Sequence, residues 1–533
     1  MSGSTQRFDA VIIGAGFAGM YMLYRMREMG LYVRVFEAGG DVGGTWYWNR
    51  YPGARCDIES MEYSYQFSDE LQQEWDWTER YAAQPEILSY AQHVADRFDL
   101  RDDIQFNTRV ESAHFDEAGD VWRVTTSDGE TATARYVVAA TGCLSVPNEP
   151  DIPGSDSFEG EVYHTGRWPH ETVDFSGKRV AVIGTGSSAI QAIPLIAEQA
   201  AHLTVHQRTP NFSIPARNGP LDPELQRRIK ARYADLRERN KKMGFGFGAR
   251  HPQNQGFVME MSAEEREEWF ERFWNNGGLT FGLAFGDMII DKEANDVAAE
   301  FVKRKIRERI EDPAVADKLM PTSTFFCKRL CADTDYFETY NRDNVTLVDV
   351  NEDPIETITA TGIRTASGEE SYDCIVFATG FDAMTGALTR MDIRGVDGLA
   401  LKDKWQAGPK TYLGLETSGF PNLFMIPGPG SPSVLTNMLP SIEQHVDFIA
   451  DCMAYMDEHN LKRIDADPDA EEAWVEHVNE VADTTLYPSC NSWYLGANIP
   501  GKARVFLPLL GFPEYVEKCN EVAANGYQGF RLS

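Results

Sequence analysis

The chain has 533 residues, 42% of them hydrophobic and 25% charged, which is typical of a soluble globular protein with two to four domains. Its formal net charge is −32, from 82 acidic and 50 basic residues. A surface this acidic repels phosphate backbones and anionic lipid headgroups, so nucleic acids and membranes are poor partners. Any anionic ligand must therefore be bound by a few locally placed cations.

Targeting segments and cysteines give little sign of an extracellular protein. "MSGSTQRFDAVIIGAG" lacks the charged and apolar regions of a signal peptide, and no window reaches ~18 consecutive apolar residues. Eight scattered cysteines argue against a disulfide framework and favour a reducing cytoplasm. Cys327 and Cys331, in CxxxC spacing, are interpreted as packing residues. No metal site is expected, because the ten histidines show no ligand spacing.

The first predicted unit, "FDAVIIGAGFAGMYMLYRM", is a strand followed by GxGxxG at Gly14, Gly16 and Gly19 and then a helix. In such a unit the glycines make the turn, let the backbone approach a pyrophosphate and pack helix on strand. Glu37 ends the next strand and can accept hydrogen bonds from a ribose 2′-OH while repelling a 2′-phosphate. This unit therefore predicts a site for FAD or NAD, not NADP.

The aromatic stretch "GGTWYWNRYPGARCDIES" comes next, with Trp46, Tyr47 and Trp48 in a row and Asp57 after a Pro-Gly turn. An aromatic knot in a core is one interpretation, although three large rings outside a periodic element make it less attractive. Two later strands, "YVVAATG" (136–142) and "YDCIVFATG" (372–380), end alike, and they predict crossings between domains near 143–160 and near 380.

The second unit is "GKRVAVIGTGSSAIQAIPLIAEQ", with Gly184, Gly186 and Ala189 in G-x-G-x-x-A spacing. Its next strand ends at Arg208, whose guanidinium can fork onto a phosphate, so this unit predicts an NADPH site. The linker before it, "FEGEVYHTGRWP", is unusually rich in large side chains for a connection between domains.

The region from about 215 to 320 is predicted to be mostly helical and to pack on the NADP domain. "SAEEREEWFERFWNNGG" begins with a capping box, Ser262 and Glu265, and ends at two glycines. Farther on, Lys328 and Arg329 lie in an aromatic setting, and the loop 428–445 is rich in Gly, Pro and Ser.

Two stretches resemble the fingerprints of the type I Baeyer–Villiger monooxygenases. The segment from Gly43 to Asp57 matches [A/G]GxWxxxx[F/Y]P[G/M]xxxD, and the linker matches FxGxxxHTxxW[P/D] from Phe158 to Pro169. The resemblance covers nearly the whole chain and is greatest to the phenylacetone and steroid monooxygenase branch. It implies an α/β fold with two Rossmann-like dinucleotide-binding domains and a helical insertion.

The resemblance also implies a reaction. NADPH reduces FAD, NADP⁺ stays bound, and a deprotonated C4a-peroxyflavin formed with O2 adds to a ketone to give an ester or lactone. Such an anion needs a fixed cation in a dry pocket, and arginine suits this because it stays protonated. By resemblance Arg329 is that cation and Asp57 orients it. His164 is expected to coordinate domain movement and not to act as a general base.

The expected site residues fall into two groups. Those expected to bind FAD are Gly14, Gly16, Phe17, Ala18, Gly19, Glu37, Gly44, Thr45, Trp46, Asp57, Tyr63, Val110 and Met438. Those expected to bind NADP are Gly184, Thr185, Gly186, Ser187, Ser188, Ala189, Arg208, Thr209, Lys328, Arg329 and Trp493.

Five segments are predicted. They are a first FAD part (1–142), the linker with a first NADP part (143–214), the helical insertion (215–322), a second NADP part (323–380) and a second FAD part with the substrate loop (381–533). The protein is expected to be a cytoplasmic monomer or weak homo-oligomer. Two alternatives are a flavin monooxygenase that oxygenates N or S and a catalytically silent redox sensor. A disulfide reductase is disfavoured because no CxxC follows the first unit.

Overall fold

The computed structural model describes residues 6–254, 256–503 and 507–533. Its strands are β1 (Gln6–Ile13), β2 (Val33–Phe36), β3 (Ile104–Gln105), β4 (Val110–Asp116), β5 (Val121–Thr126), β6 (Thr131–Ala139), β7 (Glu161–His164), β8 (Arg179–Ile183), β9 (His202–Gln207), β10 (Ser213–Pro215), β11 (Cys331–Asp333), β12 (Val345–Asp349), β13 (Ile355–Ile358), β14 (Gly362–Thr365), β15 (Gly368–Ser371), β16 (Cys374–Phe377), β17 (Asp392–Arg394), β18 (Leu423–Met425), β19 (Ile464–Ala466) and β20 (Phe530–Leu532).

The α-helices of the same residues are α1 (Phe17–Glu28), α2 (Thr45–Trp48), α3 (Asp69–Glu74), α4 (Gln84–Arg97), α5 (Ser187–Gln199), α6 (Pro223–Lys230), α7 (Tyr233–Asn240), α8 (Ala263–Asn276), α9 (Lys292–Arg307), α10 (Pro313–Leu319), α11 (Tyr336–Thr339), α12 (Gly386–Arg390), α13 (Leu401–Lys404), α14 (Met438–Glu458), α15 (Pro468–Asp483) and α16 (Phe512–Ala524). None of the described helices is long and apolar enough to span a membrane.

Two sheets organise the molecule, and each contains one of the predicted dinucleotide-binding units. The first has the order β17-β4-β5-β6-β1-β2-β3, with β18 paired to β6. The second has the order β12-β9-β8-β16-β7, and all of its pairs are parallel. Strands β8 and β16 are buried along nearly their whole length because helices and loops cover both faces of a parallel sheet. The predicted α/β class with two Rossmann-like domains is confirmed.

The helical region differs from its prediction in where it packs. Helices α8 and α9 lie in the apolar cluster of the second sheet, and α8 begins with the predicted capping box. Helix α7 instead buries Tyr233 and Leu236 in the cluster of the first sheet, and α6 packs Leu225 and Ile229 against the same cluster. The prediction that the whole insertion packs on the NADP domain is therefore wrong. Periodicity identifies an apolar helix face but not the surface that covers it.

The two connections between the sheets run side by side. Asn148 donates its backbone N–H to the Gly380 carbonyl at 2.9 Å, and Asp382 donates to Val146 at 2.8 Å. Pro147 and Phe381 form an antiparallel bridge between these bonds. The two crossings predicted from the paired strand ends thus meet as one narrow two-stranded connection.

The interpretation of Cys327 as a packing residue is wrong. Cys327 forms a disulfide with Cys490, and the other six described cysteines, Cys331 included, are free and buried. The two bonded residues lie 163 positions apart. Local spacing could not reveal the pair, because only tertiary folding brings these two segments together.

Candidate active site

The first glycine-rich turn is shaped for a ligand that approaches the backbone. Gly14 has φ +102°, and a Cβ there would lie 2.7 Å from the Ala140 carbonyl oxygen; a Cβ at Gly19 would lie 1.9 Å from the Gly14 oxygen. Those glycines are required by the chain itself. A Cβ at Gly16 would contact only the Gly44 backbone, at 3.5 Å and beyond, so this position stays open toward the cavity at the amino terminus of α1.

Glu37 follows β2 and lies at the mouth of this turn. Its carboxylate accepts N–H bonds from Ala15 and Gly39, both at 2.6 Å, and the side chain is 5% exposed. Burial raises the pKa of Glu37, although these two bonds oppose the rise. The carboxylate retains lone pairs on the cavity side, which suits it to accept hydrogen bonds from ribose hydroxyls.

The second turn repeats the arrangement with a clearer opening. Gly184 has φ +112°, and a Cβ there would lie 2.5 Å from the Ala378 oxygen. A Cβ at Gly186 would meet no atom within 4 Å. The chain does not need glycine at residue 186 for its own packing, so the space above the amino terminus of α5 suits a phosphate group.

One continuous cavity of about 1790 Å³ connects the two turns. All the residues predicted to bind FAD or NADP line it except Gly19 and Ala189. Gly19 and Ala189 lie instead on the sides of α1 and α5 that pack against the protein, where Ala189 is fully buried. Residues from the two ends and the middle of the chain therefore converge on one space large enough for two dinucleotides.

Arg329 and Asp57 form a bidentate pair in the wall of this cavity. The Arg329 Nε–H and Nη2–H donate to the two Asp57 oxygens at 2.7 and 2.8 Å, and Nη1–H donates to the Val434 carbonyl at 2.6 Å. Burial alone lowers the pKa of Arg329, but the Asp57 carboxylate outweighs burial and raises it. The guanidinium stays charged and has donor capacity beyond these three bonds.

Two further cations meet at the far side of the second turn. Burial and repulsion from Arg208 lower the pKa of Lys328, and both residues line the cavity. Neither forms an ion pair with a carboxylate among the described residues, although the chain is strongly acidic. Two adjacent cations without an anionic partner suit a dianionic phosphate such as the 2′-phosphate of NADPH.

The fingerprint between Gly43 and Asp57 lies between the two domains. The Tyr51 hydroxyl donates to Gln191 Oε1 of α5 at 2.8 Å. Gly53 has φ +79°, and a Cβ there would lie 2.4 Å from the Gln191 carbonyl. The three aromatic residues fall on the short helix α2 instead of an irregular loop, and the buried Trp46 donates its indole N–H to the Tyr63 hydroxyl at 3.1 Å.

His164 connects the two crossings of the chain. Its Nδ1 accepts the Gly166 N–H at 2.9 Å, so Nε2 carries the proton, 3.2 Å from both the Asn148 carbonyl and Thr379 Oγ1. Burial lowers the pKa of His164, which keeps the ring neutral. Trp168 and Phe158 of the linker pack in apolar clusters of the second domain.

The apolar wall beside Arg329 combines Val434 and Leu435 of the predicted substrate loop with two tyrosines, Tyr487 and Tyr494, that sequence reasoning missed. Cys143, Val434, Leu435, Tyr487 and Tyr494 form one buried cluster with Leu507. The Tyr494 hydroxyl lies next to the guanidinium, and burial raises the pKa of Tyr494. The one signal available in the sequence was the position of Tyr494 directly after Trp493.

A second buried polar cluster lies close to Asp57. Glu59, Glu62 and His251 place one ligand atom each within 4.8 Å of one another, as a metal site would require. Arg80 and Arg250 form ion pairs with Glu59. Two guanidiniums already neutralise the two carboxylates, so the cluster is a structural ion-pair network and does not suit a cation.

Two dinucleotide-shaped turns that open on one cavity with a half-buried arginine define a flavin- and nicotinamide-dependent oxidoreductase. Residues 11–269 match the family described as pyridine nucleotide-disulphide oxidoreductase. The chain is 45% identical over 528 residues to a Baeyer-Villiger monooxygenase of Pseudooceanicola batsensis, covering 98% of this chain and 95% of the relative. A phenazine N-monooxygenase of Lysobacter antibioticus is 43% identical over 533 residues, covering 98% of this chain and 97% of the relative.

A solved structure described as oxidized steroid monooxygenase bound to NADP superposes with a TM-score of 0.94 at 52% identity, covering 99% of both chains. The chain belongs to the Baeyer–Villiger monooxygenase family of FAD- and NADP-dependent flavoproteins. The resemblance of the two fingerprints to that family is thereby confirmed.

Proposed function

We propose that this chain uses NADPH, FAD and O2 to insert an oxygen atom beside the carbonyl of a ketone, giving an ester or lactone. The observation that carries the proposal is the half-buried Arg329–Asp57 pair in the cavity that joins the two nucleotide turns. A cation fixed by Asp57 and by the Val434 carbonyl can stabilise negative charge on oxygen without reorganising.

The two turns hold the cofactors in this proposal. Gly14, Gly16 and Glu37 bind the pyrophosphate and ribose of FAD, and Gly184 and Gly186 bind those of NADPH, with Arg208 and Lys328 on its 2′-phosphate. The other cavity-lining residues named for each cofactor complete the two sites. When bound, FAD and NADPH supply the two electrons that activate O2, one of whose atoms enters the substrate while the other leaves as water.

The chain's own residues then serve the oxygen transfer. Arg329 holds its charge toward the reacting oxygen atoms, and Asp57 with the Val434 carbonyl fixes the plane of the guanidinium. The cluster around Val434, Leu435 and Tyr494 keeps water away, which strengthens the electrostatic effect of Arg329. Trp493 lines the NADP side of the same space.

The wall beside Arg329 favours an uncharged, apolar ketone. Its described side chains are aliphatic, aromatic or thiol groups, and the cations of the second turn are committed to phosphate. Oxygenation of nitrogen or sulfur is the second candidate function, and the phenazine relative supports it. A silent sensor is disfavoured, because a sensor has no use for an arginine held in the cavity wall by Asp57 and the Val434 carbonyl.

The domain division, the cellular location, the oligomeric state and the excluded partners are also proposals. The five segments, divided near residues 142, 214, 322 and 380, form the FAD domain, the NADP domain and the helical insertion. The acidic surface disfavours nucleic acid and membrane as partners, and the protein is proposed to be a cytoplasmic monomer or weak homo-oligomer.

Arg329→Ala tests the proposal. Flavin reduction by NADPH should persist within a few-fold, while ester formation from a ketone panel falls by a factor of at least ~10². Anaerobic stopped-flow measures the first and gas chromatography the second, with a sulfide as competing substrate. Arg390→Ala, which removes another arginine lining the cavity, is the matched control. An Arg329→Ala enzyme that still makes ester at the wild-type rate would refute the proposal.

A further inference from the structure

The disulfide joins the two segments that carry the NADP-side chemistry. Cys327 immediately precedes Lys328 and Arg329, and Cys490 begins the loop 490–498 that carries Trp493 and Tyr494. The two Cα atoms are 6.2 Å apart. A single covalent bond thus ties the proposed catalytic cation to the loop that covers it.

Besides the disulfide, the loop is held by the buried Tyr494, which packs in the apolar cluster and lies against Arg329, and by several polar contacts around it. Thr324 Oγ1 and Ser489 Oγ are 3.1 Å apart at an exposed position. Farther along, Asn498 donates to the Phe381 carbonyl at 2.7 Å and Lys502 pairs with Asp382 at 2.7 Å. These later bonds attach the loop to the second crossing, and not to the segment that carries Arg329.

The bond therefore restricts where the loop's side chains can lie. Cys490 and Trp493 line the cavity, and Tyr494 is 3% exposed beside the guanidinium. A cross-link at the start of a short loop removes many conformations in which these rings leave the cavity.

We propose that Cys327 and Cys490 are positioning residues whose disulfide holds loop 490–498 against the Arg329 segment, so that retention of NADP⁺ depends on the oxidation state of this pair. The inference deepens the proposed function, since it rests on Arg329 and Trp493 facing the NADP site. It assigns no chemical step in oxygen transfer to either sulfur.

Reduction and reoxidation of the disulfide balance in electrons and protons, and only one of its two sulfur atoms is accessible. Cys327 is 1% exposed, whereas Cys490 is half-buried and lines the cavity. A dithiol reductant attacks there, giving two cysteine thiols and the oxidised reductant, with two electrons and two protons transferred. Hydrogen peroxide restores the bond by taking the same electrons and protons and leaving as two waters. The neighbouring free thiols compete poorly, because burial raises the pKa of Cys143 and Cys331 to about 11.

Thiol counting on the FAD-loaded full-length protein tests whether the bond exists. Six of the eight cysteines should titrate in denaturant without reductant, and all eight after reduction. Peptide mapping should recover the 327–490 cross-link. Eight titratable thiols in peroxide-treated, unreduced protein would overturn the proposal.

Equilibrium dialysis with NADP⁺ tests the positioning role. Reduction should weaken NADP⁺ binding to the wild type about tenfold, because ordering even one residue costs roughly that much. Hydrogen exchange should rise within 490–498, while flavin content stays constant. Cys490→Ser should match the reduced wild type and no longer respond to reductant, and so should Cys327→Ser if it folds.

Cys374→Ser is the matched control. That free thiol contacts Glu161 in the second sheet and takes no part in the disulfide. The variant should respond to reductant like the wild type. Equal NADP⁺ affinity and equal exchange in both redox states would overturn the positioning role. These readouts need no ketone. A failure of the oxidised enzyme to make any ester would refute the proposed function and leave the result on the disulfide standing.

Discussion

At the scale of single residues, burial decides which charged groups act and which only hold the fold. Arg329 keeps its charge because Asp57 compensates for burial. Glu443 of α14 has no such compensation: its Oε1 accepts N–H bonds from Gln66 at 2.6 Å and Phe67 at 3.0 Å, yet burial still raises its pKa to about 7. The first residue is placed for chemistry, and the second makes stability depend on pH.

Glu443→Gln should remove part of that pH dependence. The folded chain keeps the Glu443 proton up to about pH 7, whereas the unfolded chain releases it near pH ~4.3. The contribution to stability is therefore fully present below about pH 4 and is lost as pH rises through 7, up to about 3 kcal/mol. A glutamine oxygen can accept both N–H bonds, so the melting temperature of the variant should exceed that of the wild type by a margin that grows from pH 5 to pH 8.

Differential scanning fluorimetry across pH 5–8 measures this difference. Glu458→Gln, at the exposed end of the same helix, is the control and should follow the wild type at every pH. If the melting temperatures of Glu443→Gln and the wild type differed by the same amount at every pH, the raised pKa of Glu443 would have no effect on stability.

At the scale of elements, each nucleotide turn combines a glycine that the chain needs with a glycine that the ligand needs. In the second turn a side chain at Gly184 would collide with Ala378, while Gly186 is open. The same division holds in the first turn between Gly19 and Gly16, although there the Gly44 backbone approaches more closely. A helix that begins at such an opening directs free N–H groups at an anion.

Gly186→Ala and Gly184→Ala should therefore fail in different ways. Gly186→Ala has a backbone conformation open to alanine, so its melting temperature should stay near that of the wild type while KM for NADPH rises about tenfold or more. Gly184→Ala combines φ +112° with a 2.5 Å collision and should fold poorly. Normal NADPH affinity in a well-folded Gly186→Ala protein would contradict the assignment of this turn.

At the scale of the whole molecule, two domains communicate through a narrow paired connection that His164 secures. The ring is within hydrogen-bonding distance of the first crossing at Asn148 and of the second at Thr379. The fingerprint around Tyr51 and Gly53 packs on α5 across the same boundary. The two cofactors can work on one substrate only if this boundary keeps its geometry through the reaction.

His164→Ala should disturb that geometry without disturbing either site directly. We expect FAD content and the rate of flavin reduction to stay within about twofold of the wild type, while the hydrogen peroxide released per NADPH rises several-fold. Coupled peroxide and NADPH assays measure the ratio. His202→Ala removes a histidine that bonds Thr346 on the surface of the second domain, and it should leave the ratio unchanged. An unchanged ratio in His164→Ala would exclude a role for the connection in coupling.

Much of the fold and site could be predicted from local pattern. Apolar runs ending in spaced glycines predicted β1–α1 and β8–α5, and the acidic Glu37 and basic Arg208 predicted different ribose preferences. The capping box of α8 was also correct. The packing of α6 and α7 and the disulfide were not predicted, because each depends on which distant surface meets a segment.

The sequence by itself determined the dinucleotide units, the family resemblance and the residue types that the chemistry requires, because turns, helix starts and charge depend on neighbours in the chain. The meeting of Arg329 with Asp57 across 272 positions was implied by the resemblance and by no local pattern, and only the tertiary structure decided that Cys327 meets Cys490 across 163. The physical reason is that long-range contacts follow from how whole apolar faces cover one another. That outcome depends on all the elements together, and no local spacing records it.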